Sequence, residues 1–341
     1  MRDSLQRLCD EFVANRNVIK SKFKFENSYL YPVCASIFCA RGVRADADKL
    51  LDAKQLLKDK TGVFSNFRGN LKLPVCSMLA AKSAPERRME TAMDNYKLLR
   101  QQFGPSSYLA LAAFFLADMG VSGSRAQEAA ERGKRIHRRM KQEHRFLTSA
   151  EDSVFAVLMS FAEQSDDALI ADMEACYSLV KQRFSGGNAA QSVSHVLALS
   201  PGMPEEKTQR LIRLYDGIRA AGGKYGKYYQ LSTLAAVSVL DADVNEIIQD
   251  MMDVDAFLAV QKGYGFLSMD RRTRMMHAAM LVSNDYCAKD AALAAVMTDS
   301  VSELASQTAV ISGTLAIIAA QQAAMCAVIA SGTAASTAAS R

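Results

Sequence analysis

Apolar residues recur every three or four positions along most of the chain, which is the spacing of one face of an α-helix. The first such stretch covers residues 4–22 and carries Leu5, Leu8, Phe12 and Ile19 on one face. Further stretches predict helices over 29–41 and 46–60, the latter ending at Gly62 as its C-cap. No stretch shows the strict alternation of a strand, so the pattern predicts an all-α protein.

From residue 73 onward, two kinds of helix alternate. Apolar helices are predicted over 74–81, 107–119, 151–163, 191–200 and 228–240. Amphipathic helices between them are centred on Tyr96, Ile136, Tyr177, Tyr215 and Met252, in steps of 40, 41, 38 and 37 positions. A period near 40 is typical of solenoids built from helical hairpins. The alternative is a plain bundle whose helices happen to have equal lengths.

We therefore predict an all-α fold, an irregular, solenoid-like array of helical hairpins forming one continuous domain. Residues 1–70 would cap one end and contribute an aromatic loop, and residues 71–300 would form the hairpin array. Residues 301–341 would form an Ala-rich helix with a frayed tail. This segment has no charged residue between Glu303 and Arg341, but Gln321 and Gln322 oppose insertion into a bilayer. Docking on its own domain or on a second copy is favoured.

Composition supports the helical prediction. The 341 residues include six prolines and 18 glycines, too few for collagen-like or low-complexity chains. Seven cysteines occur, and none forms a Cys-x-x-Cys pair. Scattered thiols among apolar neighbours indicate buried residues in a reducing cytosol, not disulfides or a zinc site. Met251, Met252, Met275, Met276 and Met280 are expected to fill the core.

The net charge of +5 is too small to indicate a nucleic-acid partner by itself. One segment is strongly basic: residues 132–145 carry seven Lys or Arg residues around an apolar stripe of Ile136 and Met140. Such a helix could contact phosphates of a nucleic acid or an anionic membrane. A solvated outer helix is the favoured interpretation, because the segment has no aromatic side chains for stacking.

A loop over residues 61–69 places two glycines around two phenylalanines and an arginine. Arg68, with Ser65, is a candidate for holding an anion such as a carboxylate or phosphate. The favoured alternative is a helix connector in which Phe64 and Phe67 enter the core and Arg68 caps a helix C-terminus. The spacing is not that of a P-loop.

A second candidate site combines His144, Glu151, Asp152 and His195. If neighbouring hairpins stack, the starts of their apolar helices come close, and two imidazoles with a carboxylate suit a divalent metal or an acid–base pair. No recognised zinc spacing occurs. The favoured alternative is that Thr148, Ser149, Glu151 and Asp152 cap a helix and that His195 packs in the core.

The strings over 61–69, 144–152 and 194–199, with the Ala- and Gln-rich C-terminus, resemble an uncharacterised bacterial family, domain-of-unknown-function family 4003. The resemblance covers nearly the whole chain and implies a bacterial, cytoplasmic protein. It implies no activity, cofactor or catalytic residue.

We expect a non-enzymatic binding or scaffold protein, because stacked hairpins make extended protein-binding surfaces and no catalytic string occurs. One alternative is a metal-binding protein or metal-dependent enzyme using His144, Asp152 and His195. Another is a binder of nucleic acid or anionic membrane through helix 132–145. A protein partner and a homo-oligomer through the C-terminal helix are expected, and nucleic acid and membrane partners are disfavoured.

Overall fold

The computed structural model describes residues 1–265 and 268–289, and within them it contains helices and no strand. The predicted Ala-rich helix over 301–341 lies outside the described residues. The fourteen α-helices described are α1 Asp3–Lys22, α2 Leu30–Ala40, α3 Ala47–Lys60, α4 Lys72–Ala80, α5 Pro85–Arg100, α6 Ser107–Asp118, α7 Gly123–Glu143, α8 Asp152–Met159, α9 Asp166–Arg183, α10 Gly187–Ala198, α11 Pro204–Ala220, α12 Leu231–Ser238, α13 Val244–Ala259 and α14 Arg271–Lys289.

The all-α prediction is confirmed, and the two kinds of helix are distinct in burial. All eight residues of α8 and all eight of α12 are buried. In α6 every residue from Leu109 to Ala117 is buried, whereas α5 buries only Met89, Ala92, Asn95 and Leu99. The even-numbered helices are therefore surrounded by protein, and the odd-numbered helices cover them with one apolar face.

The helices fall into two compact units. The first unit comprises residues Ala14–Asp166, and the second comprises Met1–Val13 with the described residues from Asp167 onward. In the first unit α2 packs on α4 and α6 packs on α8, and odd-numbered helices cover α4, α6 and α8. In the second unit α10, α12 and α14 pack in sequence, with α11 and α13 against them.

The connections between helices are of two kinds, which alternate along the chain. One set leads from an amphipathic helix into a buried helix, and we call these the inward connections. In the first unit they cover residues 23–29, 61–71, 101–106 and 144–151. In the second unit they cover 184–186, 221–230 and 260–270, of which 266 and 267 are not described.

Buried helices need partners for their last carbonyl groups, and arginines of the covering helices provide them. Arg132 of α7 donates to the carbonyl oxygens of Ser160, at 3.0 Å, Ala162, at 2.6 Å, and Gln164 at the end of α8. Arg210 of α11 does the same for α12, donating to the carbonyl oxygens of Ser238 (2.6 Å), Leu240 (2.8 Å) and Ala242.

Two details of the loop over 61–71 differ from the sequence prediction. Phe67 enters the core, in edge contact with Tyr96 at 5.2 Å and Phe114 at 5.7 Å between ring centres. Phe64 was expected there too, but it is fully exposed. Helix α3 ends at Thr61, in extended conformation, and not at a left-handed Gly62.

Helix α14 was not predicted, because its first turn is rich in arginine and shows no apolar periodicity. Met275, Met276 and Met280 of α14 are buried, as is Met251 of α13, which confirms their role as core residues. The six described cysteines are buried, and none of them forms a disulfide with another described residue. Among the helices that the structure describes, none combines the length and the apolarity needed to cross a bilayer.

Removing the shared arginine cap tests its contribution to stability. We expect Arg210→Ala to lower the free energy of unfolding by about 2 kcal/mol, because buried carbonyl groups would lose a charged donor. Urea unfolding at neutral pH measures the change.

The exposed Arg213, three positions further along the same helix, supplies the control: Arg213→Ala is expected to change stability by less than about 0.5 kcal/mol. Equal losses in the two variants would show that Arg210 acts only as a surface charge.

Candidate functional site

The connection between α7 and α8 holds three of the four residues of the predicted histidine and carboxylate site. His144 ends α7, and its backbone N–H donates to the Met140 carbonyl oxygen at 2.8 Å. Asp152 Oδ2 accepts from the Ser149 backbone N–H at 2.6 Å, and Ser149 Oγ accepts from the Glu151 N–H at 3.2 Å. Ser149 and Asp152 thus form hydrogen bonds in the turn before α8 much as in a capping box, whereas Glu151, the residue directly before α8, makes no side-chain cap hydrogen bond.

Thr148, the other residue considered for this cap, has a different role. Its hydroxyl donates to the Met140 carbonyl oxygen at 3.1 Å, and thereby closes the C-terminus of α7. The short connection therefore satisfies the end of one helix and the start of the next with adjacent residues.

Both acids at the start of α8 hold their protons more tightly than usual. Burial, with a smaller contribution from Asp152, raises the pKa of Glu151 to about 7. Burial also raises the pKa of Asp152 to about 6, although its hydrogen bonds with Ser149 work in the opposite direction. Each carboxyl group is therefore partly protonated near neutral pH, which is the range in which a carboxyl group can act as an acid or a base.

His137, which sequence reasoning missed, contacts the same connection at Ser149. Its Nε2 is 3.1 Å from the Ser149 carbonyl oxygen, and its ring makes an edge contact with Phe103 at 5.7 Å between centres. Burial lowers the pKa of His137 and so favours the neutral imidazole. The residue lies inside the basic run of α7, where the surrounding Lys and Arg residues hid it.

His195 lies in α10 of the second unit and is completely buried. His144, Glu151 and Asp152 belong to the first unit, so a joint site with His195 stays a prediction. Within residues 1–265 and 268–289 there is no group of three or more His, Cys, Asp or Glu residues placed to hold a metal ion.

Arg68, the candidate anion ligand, makes hydrogen bonds within its own loop. It donates to the carbonyl oxygens of Lys58 at 2.8 Å and Thr61 at 2.6 Å, and to Thr61 Oγ1 at 2.9 Å. Ser65 Oγ accepts from the Phe67 N–H at 3.3 Å. These bonds give Arg68 the capping role at the end of α3 that was weighed against anion binding.

The basic helix over 132–145 is partly neutralised. Arg132 and Arg135 both pair with Asp166, at 2.9 and 3.1 Å, and Lys134 lies over the Phe103 ring at 5.1 Å. Ile136 and Met140 form the buried stripe that the sequence predicted. Several of the seven basic side chains thus contribute to packing and capping within the first unit.

Aromatic side chains mark the inward connections. Among the described residues, the strongly exposed aromatic side chains all lie in these connections, and they are Phe25, Phe64, Phe146, Tyr228 and Tyr229. In the first unit Phe25 and Phe64 are 100% exposed and Phe146 is 97% exposed. We call Phe25, Val63, Phe64 and Phe146 the aromatic surface of the first unit.

Comparisons with other proteins give a family without an assigned activity. The family model described as "Protein of unknown function (DUF4003)" matches residues 15–323. The chain is 25% identical over 301 residues to "Uncharacterized protein YeaA" of Bacillus subtilis (strain 168), covering 85% of this chain and 91% of the relative. No solved structure matches the chain.

The raised pKa of Glu151 predicts a dependence of stability on pH. The pKa of Glu151 is about 7 in the folded protein, above the ordinary Glu value of 4.5 that applies to the unfolded chain. Between these two pH values the folded protein therefore binds more protons than the unfolded chain. The free energy of unfolding should therefore fall as pH rises from about 4.5 to 7.

The variant Glu151→Gln lacks the titrating group and should not show this loss. As pH rises from about 4.5 to about 8, its free energy of unfolding should increase relative to that of wild type by about 1 kcal/mol. This value is lower than the full pKa shift implies because the side chain is part-exposed and solvent screens its charge. Urea unfolding at both pH values measures the gain, with Glu143→Gln at the exposed end of α7 as the control. Parallel stability curves for wild type and Glu151→Gln would contradict the assignment.

Proposed function

The chain belongs to this family of proteins of unknown function, and on that premise we propose that it is a non-enzymatic binding protein built from repeated helical hairpins. The aromatic surface of the first unit would contact a protein partner. This proposal concerns binding and assigns no reaction to the residues of the α7–α8 connection.

The observation that carries the proposal is the complete exposure of Phe25 and Phe64 and the near-complete exposure of Phe146. The same unit buries other phenylalanine side chains: Phe38, Phe114 and Phe155 are each at most 1% exposed. Single exposed apolar residues are common, but large aromatic side chains confined to one set of connections indicate a contact surface. Aromatic residues are also enriched among the residues that dominate binding energy at protein interfaces.

The arginines that cap the ends of α8 and α12 support the proposal that the helical hairpin is a repeated unit. Arg132 and Arg210 reach acceptors that follow them by 28, 30 and 32 positions in both cases. The two arginines lie 78 positions apart, which corresponds to two steps of 39. Proteins made of such repeats present the connections of successive hairpins side by side, and partners bind along them.

The charges beside the aromatic residues indicate the chemistry of the partner. Lys24 precedes Phe25 and Arg145 precedes Phe146, and all four side chains are exposed. A partner segment with apolar side chains flanked by Asp or Glu would bury the phenylalanine rings and pair with the cations.

A photo-crosslinking experiment tests the proposal. The full chain carries a photoreactive phenylalanine analogue at position 64 and is illuminated in bacterial cells; mass spectrometry then identifies any adduct. We expect one protein adduct, whose yield falls about tenfold in the variant Phe25→Ser/Phe146→Ser, because aromatic anchors supply most of an interface's affinity.

The matched control is Val43→Ser/Leu51→Ser, which removes two exposed apolar side chains of the same unit that lie outside the inward connections. Its adduct yield should equal that of the parent chain. Equal yields in the two double variants, or no protein adduct, would contradict the proposal. Co-sedimentation with anionic phospholipid vesicles that requires Phe25 and Phe146 would identify a bilayer as the partner and would also contradict it.

A further inference from the structure

A hollow of about 340 Å³ opens at the inward connections of the second unit, away from the aromatic surface of the first. It lies between the end of α11, the connection over 221–230 and the start of α14. Its described lining residues are Tyr215, Arg219, Gly223, Lys224, Tyr225, Lys227, Tyr228 and Arg272. We call it the cationic hollow, because four of these eight residues are Lys or Arg and none is Asp or Glu.

Unlike the nearby Arg183, the four cations of the hollow form no salt bridge among the described residues, although Arg272 is close enough to Asp270 for the two charges to interact. Arg183, close by, pairs with Asp216 at 2.5 Å and lies 5.4 Å from the centre of the Phe184 ring. Arg219 lies over the Tyr215 ring at 6.0 Å, but forms no ion pair within the described part of the chain. Four like charges around one hollow repel each other, and an anion bound between them would relieve that repulsion.

The backbone under the hollow is shaped by two glycines. Gly222 has φ +83°, and the Gly223 N–H donates to the Ile218 carbonyl oxygen at 2.8 Å, which turns the chain sharply after α11. A Cβ at Gly223 would lie 2.6 Å from Ile218 Cγ2 and 2.9 Å from the Ile218 carbonyl oxygen. Only glycine therefore allows the chain to pass this close, and the turn places Lys224 at the rim.

The two walls of the hollow are tied together without using its cations. Arg271 Nη2 donates to the Gly222 carbonyl oxygen at 3.3 Å, and the Tyr229 hydroxyl lies 3.2 Å from Thr273 Oγ1. These bonds fix the connection over 221–230 against the start of α14. The backbone segments that carry Lys224, Lys227 and Arg272 are therefore fixed against each other before any ligand arrives, which reduces the entropy cost of binding.

A second hollow of about 530 Å³ adjoins the first and shares Lys224 and Arg272 with it. Asp270 is the one carboxylate among its described lining residues. The Asp270 carboxylate accepts from the backbone N–H groups of Arg272, at 2.8 Å, and Thr273, at 3.2 Å, and from the Thr273 hydroxyl at 2.7 Å. Asp270 thus caps α14, and its oxygens are occupied by these donors and not by Arg272's guanidinium.

We propose that the cationic hollow binds a small molecule carrying two or more phosphoryl groups, with Lys224, Lys227, Arg219 and Arg272 as its ligands. Arginine forks and lysine ammonium groups are the side chains that bind phosphoryl oxygens. A single carboxylate would leave most of the four charges unneutralised, so the charge of the hollow favours a polyanion. The volume is in the range of small-molecule sites, about 300–1,000 Å³.

The basic hollow of the first unit lacks these properties. It has a volume of about 450 Å³ and contains Lys54, Lys58, Arg68 and Lys72. Lys72 pairs with Glu26 at 2.5 Å, Lys54 lies over Phe23 at 5.4 Å, and Arg68 caps α3. Lys72 has a carboxylate partner and Arg68 bonds to backbone carbonyl groups, so fewer cations of this hollow are open to a ligand, and we assign the ligand to the second unit.

Isothermal titration calorimetry of the full chain with inorganic tripolyphosphate and with ATP tests the proposal, at about 50 mM and about 200 mM salt. We expect saturable binding to one site, weakened by about tenfold or more in Lys227→Gln/Arg272→Gln because two charge-assisted contacts are lost. The control Arg7→Gln/Arg213→Gln removes the same charge from exposed positions of the same unit that do not line the hollow. It should bind within about twofold of wild type, with a matching thermal unfolding midpoint in all three proteins.

Several results would overturn the proposal: absence of binding, equal weakening in the two double variants, or binding confined to phosphatidylglycerol vesicles or to single-stranded RNA. Absence of binding or equal weakening would exclude a specific phosphoryl-binding site in the hollow. Binding confined to vesicles or to RNA would identify a surface for a lipid headgroup or a nucleic acid. A preference for ATP over tripolyphosphate would place the base near the exposed Tyr228 ring and would support the proposal. These outcomes are independent of Phe25, Phe64 and Phe146, so they do not decide the protein-binding proposal.

Discussion

The organisation of both units depends on the burial of short helices on every side. A helix such as α8 or α12, with all eight residues buried, cannot give its last carbonyl groups to water. Leaving such groups without donors costs about 1–3 kcal/mol each, a large part of the stability of an ordinary domain. Arg132 and Arg210 supply the donors from covering helices, and their equal offsets show that the same solution is used in two hairpins.

This constraint divides the basic residues into two groups with different roles. One group, which includes Arg132, Arg210 and Arg68, bonds to backbone carbonyl groups and holds helix ends in place. The other group lies at the inward connections of the second unit, where Lys224, Lys227 and Arg272 form no salt bridge among the described residues. Net charge and charge runs do not separate the two groups, since the strongly basic helix α7 contributes Arg132 to the first group while Arg135 of the same helix pairs with a carboxylate.

The sequence predicted the helices well because a helix that is buried on every side is apolar throughout, and a covering helix is apolar on one face. The apolar segment that became α6 and the amphipathic segments around Tyr96 and Tyr215 were placed correctly, whereas α10 begins at Gly187, four residues before its predicted start. What it could not predict depends on contacts between distant residues. Nothing local distinguishes exposed Phe64 from buried Phe67, and the carbonyl partners of Arg132 lie about thirty positions away. The cationic hollow was missed for the same reason: its lysines and arginines come from α11, the connection over 221–230 and α14, which are far apart in the sequence.

Native-state hydrogen exchange tests the central claim most directly. If the buried helices are held at both ends by their neighbours, the amides of α6, α8 and α12 should exchange only when the whole unit unfolds. Their exchange free energies should then equal the free energy of unfolding measured with urea. Exchange of α8 or α12 through local opening, at a clearly lower free energy than that of the covering helices α7 and α11, would contradict the account.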